Sequence, residues 1–301
     1  MASQLSGRDL LSIADLSREE ILGILDMAQR LKAGESRPTP LTGLNLGMIF
    51  QRPSNRTRVS FEVAIQQLGG HPIPIFSQEI QLGQRESVAD IARILDRYLD
   101  GIVARLHYQS DLEGFARHAN APVISAMTDT EHPCQILADL LTIREHAGDG
   151  AVVTYIGDGN NVCNSWIYAS AILGFELRLV HPDGYEPRPA VLLKASALGS
   201  EPRAWPVNTA LESTAIVYTD VWTSMGQEEE HERRRQDFRE LQVNSALLQM
   251  APPTARVMHC LPAHRGEEIT DDVIDGPQSI VFDQAENRLH VQKAILAMIY
   301  S

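Results

Sequence analysis

The sequence predicts an α/β protein made of two three-layer αβα domains, each with a mainly parallel sheet, and a cleft between them. Three observations lead there. The chain has 301 residues, too many for one ordinary core and suited to two domains of about 150 residues each. Strand-length apolar runs alternate with amphipathic stretches of helical period. Near the midpoint, Gly148-Asp149-Gly150 interrupts this alternation, and a second round then begins.

The elements follow in order. Ser17-Arg18-Glu19-Glu20 reads as a capping box, in which the serine caps the helix start and Glu20 reaches back. Ile21, Ile24, Leu25, Ala28 and Leu31 then recur at helical spacing, and Gly34 ends the run. Residues 44–50 read as a buried strand, 57–68 as a helix, 71–76 as a strand and 87–99 as a helix. A strand at 101–106, a helix at 111–119 and a strand at 122–127 complete the first round. The second round places strands at 151–157, at ELRLVHP, at 214–222 and at 257–263. Helices are expected at 161–173, 188–198 and 228–241, with a final helix from 286 to 301. The charged run Glu228 to Arg235 reads as a solvated helix face. The expected domains are 1–148 and 149–285, with the helix at 286–301 packing back toward the first.

Bulk properties exclude several function classes. With 39 acidic and 26 basic side chains the formal charge is −13, which disfavours nucleic acid and anionic membrane as partners. No apolar run approaches the roughly 18 residues that span a bilayer, and the N-terminal residues lack the pattern of a secretory signal. Cys134, Cys163 and Cys260 are far apart and odd in number, as expected of free thiols in a reducing cytoplasm. An anionic substrate must therefore meet a local cluster of positive groups.

Such a cluster is Ser54-Asn55-Arg56-Thr57-Arg58, between a buried strand and an amphipathic helix. Helix N-termini attract anions through free N–H groups and the helix dipole. Hydroxyls from Ser54 and Thr57 add neutral donors, and the two guanidinium groups add charge and forked hydrogen bonding. The GxxxxGK[ST] nucleotide loop is absent from the chain, which favours a small phosphate-bearing molecule over a nucleoside triphosphate. Further on, His132-Pro133-Cys134-Gln135 opens a helix. Proline suits its first turn, and His132 and Gln135 can both hydrogen-bond a carbonyl oxygen or an amide nitrogen. Gly157-Asp158-Gly159-Asn160-Asn161-Val162 hints at a dinucleotide fingerprint, but Val162 stands where the third glycine belongs. No histidine–cysteine spacing fits a zinc site, so neither a metal nor a cofactor is expected.

These motifs together resemble the ornithine carbamoyltransferases. PSNRTRVSFE is similar to the carbamoyl-phosphate loop of the transcarbamylases, with Asn55 where the family usually carries threonine and Gln51-Arg52 replacing its usual Glu-Lys. HPCQ looks like the carbamoyl-binding motif, and SMGQE with HCLPA narrows the resemblance from the superfamily to the ornithine enzymes. The resemblance runs from about residue 8 to residue 300. It implies carbamoyl transfer from carbamoyl phosphate to the δ-amine of L-ornithine. It assigns carbamoyl phosphate to Ser54, Asn55, Arg56, Thr57, Arg58, Gln81, Arg105, His132, Gln135, Cys260, Leu261 and Arg288, with Arg105, His132, Gln135 and Cys260 closest to the chemistry. Asn161, Asp220, Ser224 and Met225 would hold ornithine. Gln81 lies in a loop that such enzymes extend into a neighbouring subunit, which implies a homotrimer with shared active sites.

Overall fold

The structure, a computed structural model, describes residues 5–83, 85–223 and 228–301. Ser224 and Met225 therefore lie outside the described residues.

The chain divides into two compact units, residues 1–141 with 287–301, and residues 142–286. The first unit begins with α1 (Arg18–Lys32), then β1 (Asn45–Phe50), α2 (Asn55–Gln67), β2 (His71–Phe76), α3 (Ser77–Ile80) and α4 (Val88–Leu95). It continues through β3 (Gly101–Arg105), α5 (Gln109–His118), β4 (Val123–Met127) and most of α6 (Pro133–His146). The second unit carries β5 (Val153–Ile156), α7 (Asn161–Leu173), β6 (Leu177–Val180), α8 (Pro189–Leu198), β7 (Arg203–Ala204) and α9 (Val207–Leu211). After these come β8 (Ile216–Thr219), α10 (His231–Asp237), α11 (Ser245–Leu248), β9 (Arg256–His259) and α12 (Asp271–Ile274). The last helix, α13 (Val281–Ile299), starts in the second unit and ends in the first.

Each unit is built on one parallel sheet, ordered β2-β1-β3-β4 in the first and β7-β6-β5-β8-β9 in the second. Parallel strands buried on both faces read as continuous apolar runs; β3, β4, β5, β6 and β8 are buried at every position. Ile49, Ile102, Phe115 and Val123 sit in the first core, and Ile156, Val217, Val257 and Ile269 in the second. In α/β sheets of this kind, ligands bind beyond the carboxyl ends of the strands. Ser54, His132, Asp220, Cys260 and Leu261 follow β1, β4, β8 and β9, while Asn55 to Arg58, Gln135 and Asn161 lie in the first turns of α2, α6 and α7.

Local sequence explains the helix ends. Ser17 accepts from the Glu20 N–H at 3.1 Å while Glu20 accepts from the Ser17 N–H at 2.8 Å, completing the capping box. A cap of this kind contributes about 1 kcal/mol. α7 stops at Gly174, whose φ of 73° is a left-handed conformation that only glycine adopts without strain.

Several boundaries differ from expectation. The helix expected at 57–68 begins two residues earlier, at Asn55, because Ser54 is its cap. The strand expected to run to 263 stops at His259, and Leu261 turns the chain away with φ at 57°. The helix expected across 228–241 is three short pieces, 3-10 turns at 228–230 and 239–241 flanking α10. Nor is this run a wholly solvated face. Arg234 is buried, donating to Asp158 Oδ2 at 2.8 Å and to the Trp222 carbonyl at 3.0 Å. Its guanidinium also lies over the Tyr185 ring, 5.0 Å from the centroid.

Candidate active site

In the first unit, the end of β1 leads through Gln51 and Arg52 into the N-terminus of α2. Both residues tie this loop to the end of β3. The Gln51 N–H donates to the Arg105 carbonyl, the Gln51 side chain accepts from the His107 N–H, and Arg52 Nε donates to His107 Nδ1, all between 2.9 and 3.0 Å. The departure at 51–52 therefore has a structural use: it joins two strand ends.

Ser54 accepts from the Thr57 N–H at 3.3 Å, and the N–H groups of the residues before it have no partner within the helix. Asn55 and Arg56 are exposed at that terminus, whereas Arg58 is half-buried and paired with Glu62 at 2.8 Å. Thr57 turns inward and is fully buried. Its hydroxyl oxygen accepts from Arg288 Nη2 at 2.7 Å, and Arg288 Nη1 donates to Gln135 Oε1 at 2.8 Å. Gln135 in turn donates through Nε2 to Asp139 Oδ1 at 2.8 Å. One buried arginine thus links the phosphate-type loop on α2 to the HPCQ segment on α6.

Arg105, at the end of β3, and His132, just before α6, are also buried. Burial, together with the charges of Arg288 and Arg105, holds His132 well below the ordinary histidine value. A neutral imidazole results, able to donate to a carbonyl oxygen without adding charge. Burial likewise pushes the Cys134 thiol up to about 12, which makes it a packing group and not a nucleophile. Gln81 stands apart from this cluster, exposed on the 81–87 loop with φ at 40°.

In the second unit the expected residues converge on a carboxylate. Asp220 follows β8 and is buried. Its Oδ2 accepts from Asn160 Nδ2 at 2.8 Å, and its Oδ1 accepts from its neighbour's N–H at 2.8 Å and from Cys260 Sγ at 2.9 Å. Asn160 is also the N-cap of α7, accepting from the Val162 and Cys163 N–H groups, and Asn161 begins the helix beside it. Asn160 has no role among the residues expected from the sequence. The signal was present, since asparagine before an apolar helical run is a cap. Its loop runs tightly against the chain: a Cβ at Gly159 would lie 2.4 Å from the Pro187 nitrogen, so only glycine fits.

The segment around Cys260 is held by a buried histidine. His259 Nδ1 accepts from the Leu261 N–H at 2.9 Å, so Nε2 carries the proton and donates to Glu268 Oε1 at 3.1 Å. Glu268 Oε1 also accepts from the His264 N–H at 2.6 Å. Ligand-type atoms of Asp220, His259 and Cys260 lie within 4.8 Å of one another. Both nitrogens of His259 are committed to these hydrogen bonds, which leaves no lone pair there for a metal.

The structure therefore joins Thr57, Gln135 and Arg288 directly, places His132 beside Arg105 and Arg288, and joins Asp220 to Cys260. The first group can grip a phosphorylated carbonyl compound. The second offers a negative charge to an ammonium.

Residues 8–145 match the carbamoyl-P binding domain described for aspartate/ornithine carbamoyltransferases, and residues 149–299 match the Asp/Orn binding domain. An ornithine carbamoyltransferase of Oceanobacillus iheyensis is 49% identical over 98% of this chain and 95% of its own length. An anabolic ornithine carbamoyltransferase of Pyrococcus furiosus is 49% identical over 99% of this chain and 98% of its own. Among solved structures, the P. furiosus ornithine carbamoyltransferase superposes with a TM-score of 0.93 at 48% identity, covering 99% of this chain and 98% of that one. The anabolic ornithine carbamoyltransferase of Campylobacter jejuni superposes with a TM-score of 0.92 at 37% identity, covering 96% and 98%.

Proposed function

The chain belongs to the aspartate/ornithine carbamoyltransferase family, and from that premise we propose that it transfers the carbamoyl group of carbamoyl phosphate to the δ-amine of L-ornithine, giving L-citrulline and phosphate. The observation that carries the reading is the buried link from Thr57 through Arg288 to Gln135. It ties the N-terminus of α2 and the Gln135 amide to one buried cation, which supports a shared grip on phosphate and carbamoyl group.

In this reading Ser54, Asn55, Arg56, Thr57 and Arg58 hold the phosphate. Arg105, His132 and Gln135 take the carbamoyl group, with Arg288 behind them. Asn161, Asp220, Ser224 and Met225 hold the amino-acid end of ornithine, the Asp220 carboxylate pairing with its α-ammonium. The neutral δ-amine attacks the carbamoyl carbon, the carbonyl oxygen becomes an oxyanion, and phosphate leaves as the intermediate collapses, taking the proton that the amine gives up. Arg105 and neutral His132 stabilise that oxyanion, with Cys260 and Leu261 lining the carbamoyl group. The reaction needs positioning and charge stabilisation, and no covalent enzyme intermediate or cofactor.

The assembly we propose is a homotrimer in which Gln81 completes a neighbouring site. Val59, Phe76, Ile94 and Tyr98 on the first unit are exposed apolar side chains that a subunit contact could cover. No helix among the described residues is long and apolar enough to cross a membrane, and a cytoplasmic location fits a substrate pair of small metabolites.

The test is citrulline formation from carbamoyl phosphate, with ornithine, acetylornithine, putrescine and aspartate each offered as acceptor. Turnover with ornithine alone is expected. Preference for another acceptor would overturn the assignment of Asp220 while leaving the first-unit site standing.

A further inference from the structure

We propose that Asp139 is a positioning residue that fixes the polarity of the Gln135 amide, and with it the hydrogen-bonding face shown to the carbamoyl group. The proposal rests on the reading of Gln135 as a carbamoyl ligand and goes one residue deeper.

An amide side chain can be turned over with little change in shape, which exchanges its acceptor and its donor. At Gln135 the surroundings allow one orientation. Arg288 can only donate, and it lies 2.8 Å from Oε1; the Asp139 carboxylate oxygen accepts, 2.8 Å from Nε2. Turning the amide over would set its NH2 against a guanidinium and its oxygen against a carboxylate. Gln135 and Asp139 are four residues apart on α6, the spacing that stacks side chains on one helix face. Thr57, Gln135, Asp139 and Arg288 have relative exposures of 0%, 1%, 0% and 4%, so bulk water cannot substitute for a lost partner.

The consequence is chemical. A carbamoyl group carries an acceptor, C=O, and a donor, NH2. The oriented amide keeps one oxygen lone pair and one N–H beyond those used by Arg288 and Asp139, and these match that donor and acceptor in one pose only. Arg288 extends the same control to Thr57: because the hydroxyl oxygen accepts at 2.7 Å, its proton is directed away from the arginine.

The experiment compares Asp139→Ala, Asp139→Asn and Gln135→Met by steady-state kinetics in both substrates, with thermal denaturation to confirm folding. Asp139→Ala should raise KM for carbamoyl phosphate about tenfold or more, because a buried N–H is left without its acceptor. KM for ornithine should stay within about twofold, a split that a general loss of structure would not produce. Asp139→Asn keeps an acceptor oxygen at the same place and should return the carbamoyl phosphate KM to within about threefold. If alanine prevents folding, Asp139→Ser, polar but too short to reach the amide, takes its place with the same expectation. Unchanged carbamoyl phosphate kinetics in the alanine or serine variant, a parallel rise in ornithine KM, or an asparagine variant as impaired as alanine would overturn the proposal. Gln135→Met separates the two levels. If it is harmless, the reading of Gln135 itself fails; if it is damaging while Asp139→Ala is not, only the role of Asp139 fails.

Discussion

In the first unit the candidate site carries two buried cations, Arg105 and Arg288, with the neutral groups Thr57, Gln135 and His132 around them and one buried carboxylate, Asp139, behind Gln135. In the second unit the charge expected to meet the ligand is a buried carboxylate, Asp220, held by an asparagine, a backbone N–H and a thiol. The two arrangements suit opposite tasks. Arg288, hydrogen-bonded to the uncharged Thr57 and Gln135, keeps much of its field available for a dianionic phosphate. A carboxylate satisfied by neutral donors keeps its whole charge for an ammonium. A chain with a formal charge of −13 needs the first kind of site to be built inside, since its surface repels the anion it must capture.

The largest effect that would sharpen this contrast is at Arg105. Arg105→Ala should lower kcat by about 10²–10³, the usual loss when one oxyanion donor is removed, while ornithine KM changes little; steady-state citrulline formation reads both.

Next is the second unit's internal clamp. Arg234 and Asp158 have side-chain exposures of 8% and 13% and meet at 2.8 Å. Burial raises the Asp158 pKa, and Arg234 works against that shift. Arg234→Met should cost about 3 kcal/mol, because it strands a buried carboxylate, and should raise ornithine KM with carbamoyl phosphate KM unchanged. Denaturant melts and kinetics check the two parts. Adding Asp158→Asn should recover part of the stability.

Asn160→Ala should be milder, about 1 kcal/mol for the lost helix cap, again with the kinetic change confined to ornithine. An equal rise in both KM values would break the comparison.

The smallest effect is one of pH. Folding holds His132 below its ordinary value, whereas the unfolded chain protonates it near pH 6.5. As pH falls below about 6.5 the unfolded state gains a proton that the folded state resists, so this contribution to stability is present at neutral pH and declines on acidification. Melting temperatures from pH 7.5 to 5.5 should fall less steeply in His132→Gln.

How much of this was legible in the sequence depended on whether a group's partners are near it along the chain. The α2 terminus was readable because cap, hydroxyls and arginines are consecutive, Ser54 to Arg58. The strand alternation was readable because both sheets are parallel and covered on both faces. Arg288 reaches Gln135 across 153 positions, so its place came from resemblance, and nothing in local pattern pointed to Asp139. Arg234 was misread for a similar reason: in a run of charges, periodicity cannot reveal that one side chain turns inward to an aspartate 76 residues upstream. The early end of β9 was hidden as well, because VMHCLPA is apolar throughout, while the bend at Leu261 is held by the side chain of His259.

The most direct test of this division of labour is calorimetric titration of Asp220→Asn with carbamoyl phosphate in the absence of ornithine. The account predicts affinity equal to that of the unaltered chain, alongside an ornithine KM raised about tenfold or more through the lost charge. Weakened carbamoyl phosphate binding in that variant would contradict it, since Asp220 would then serve the anion site as well.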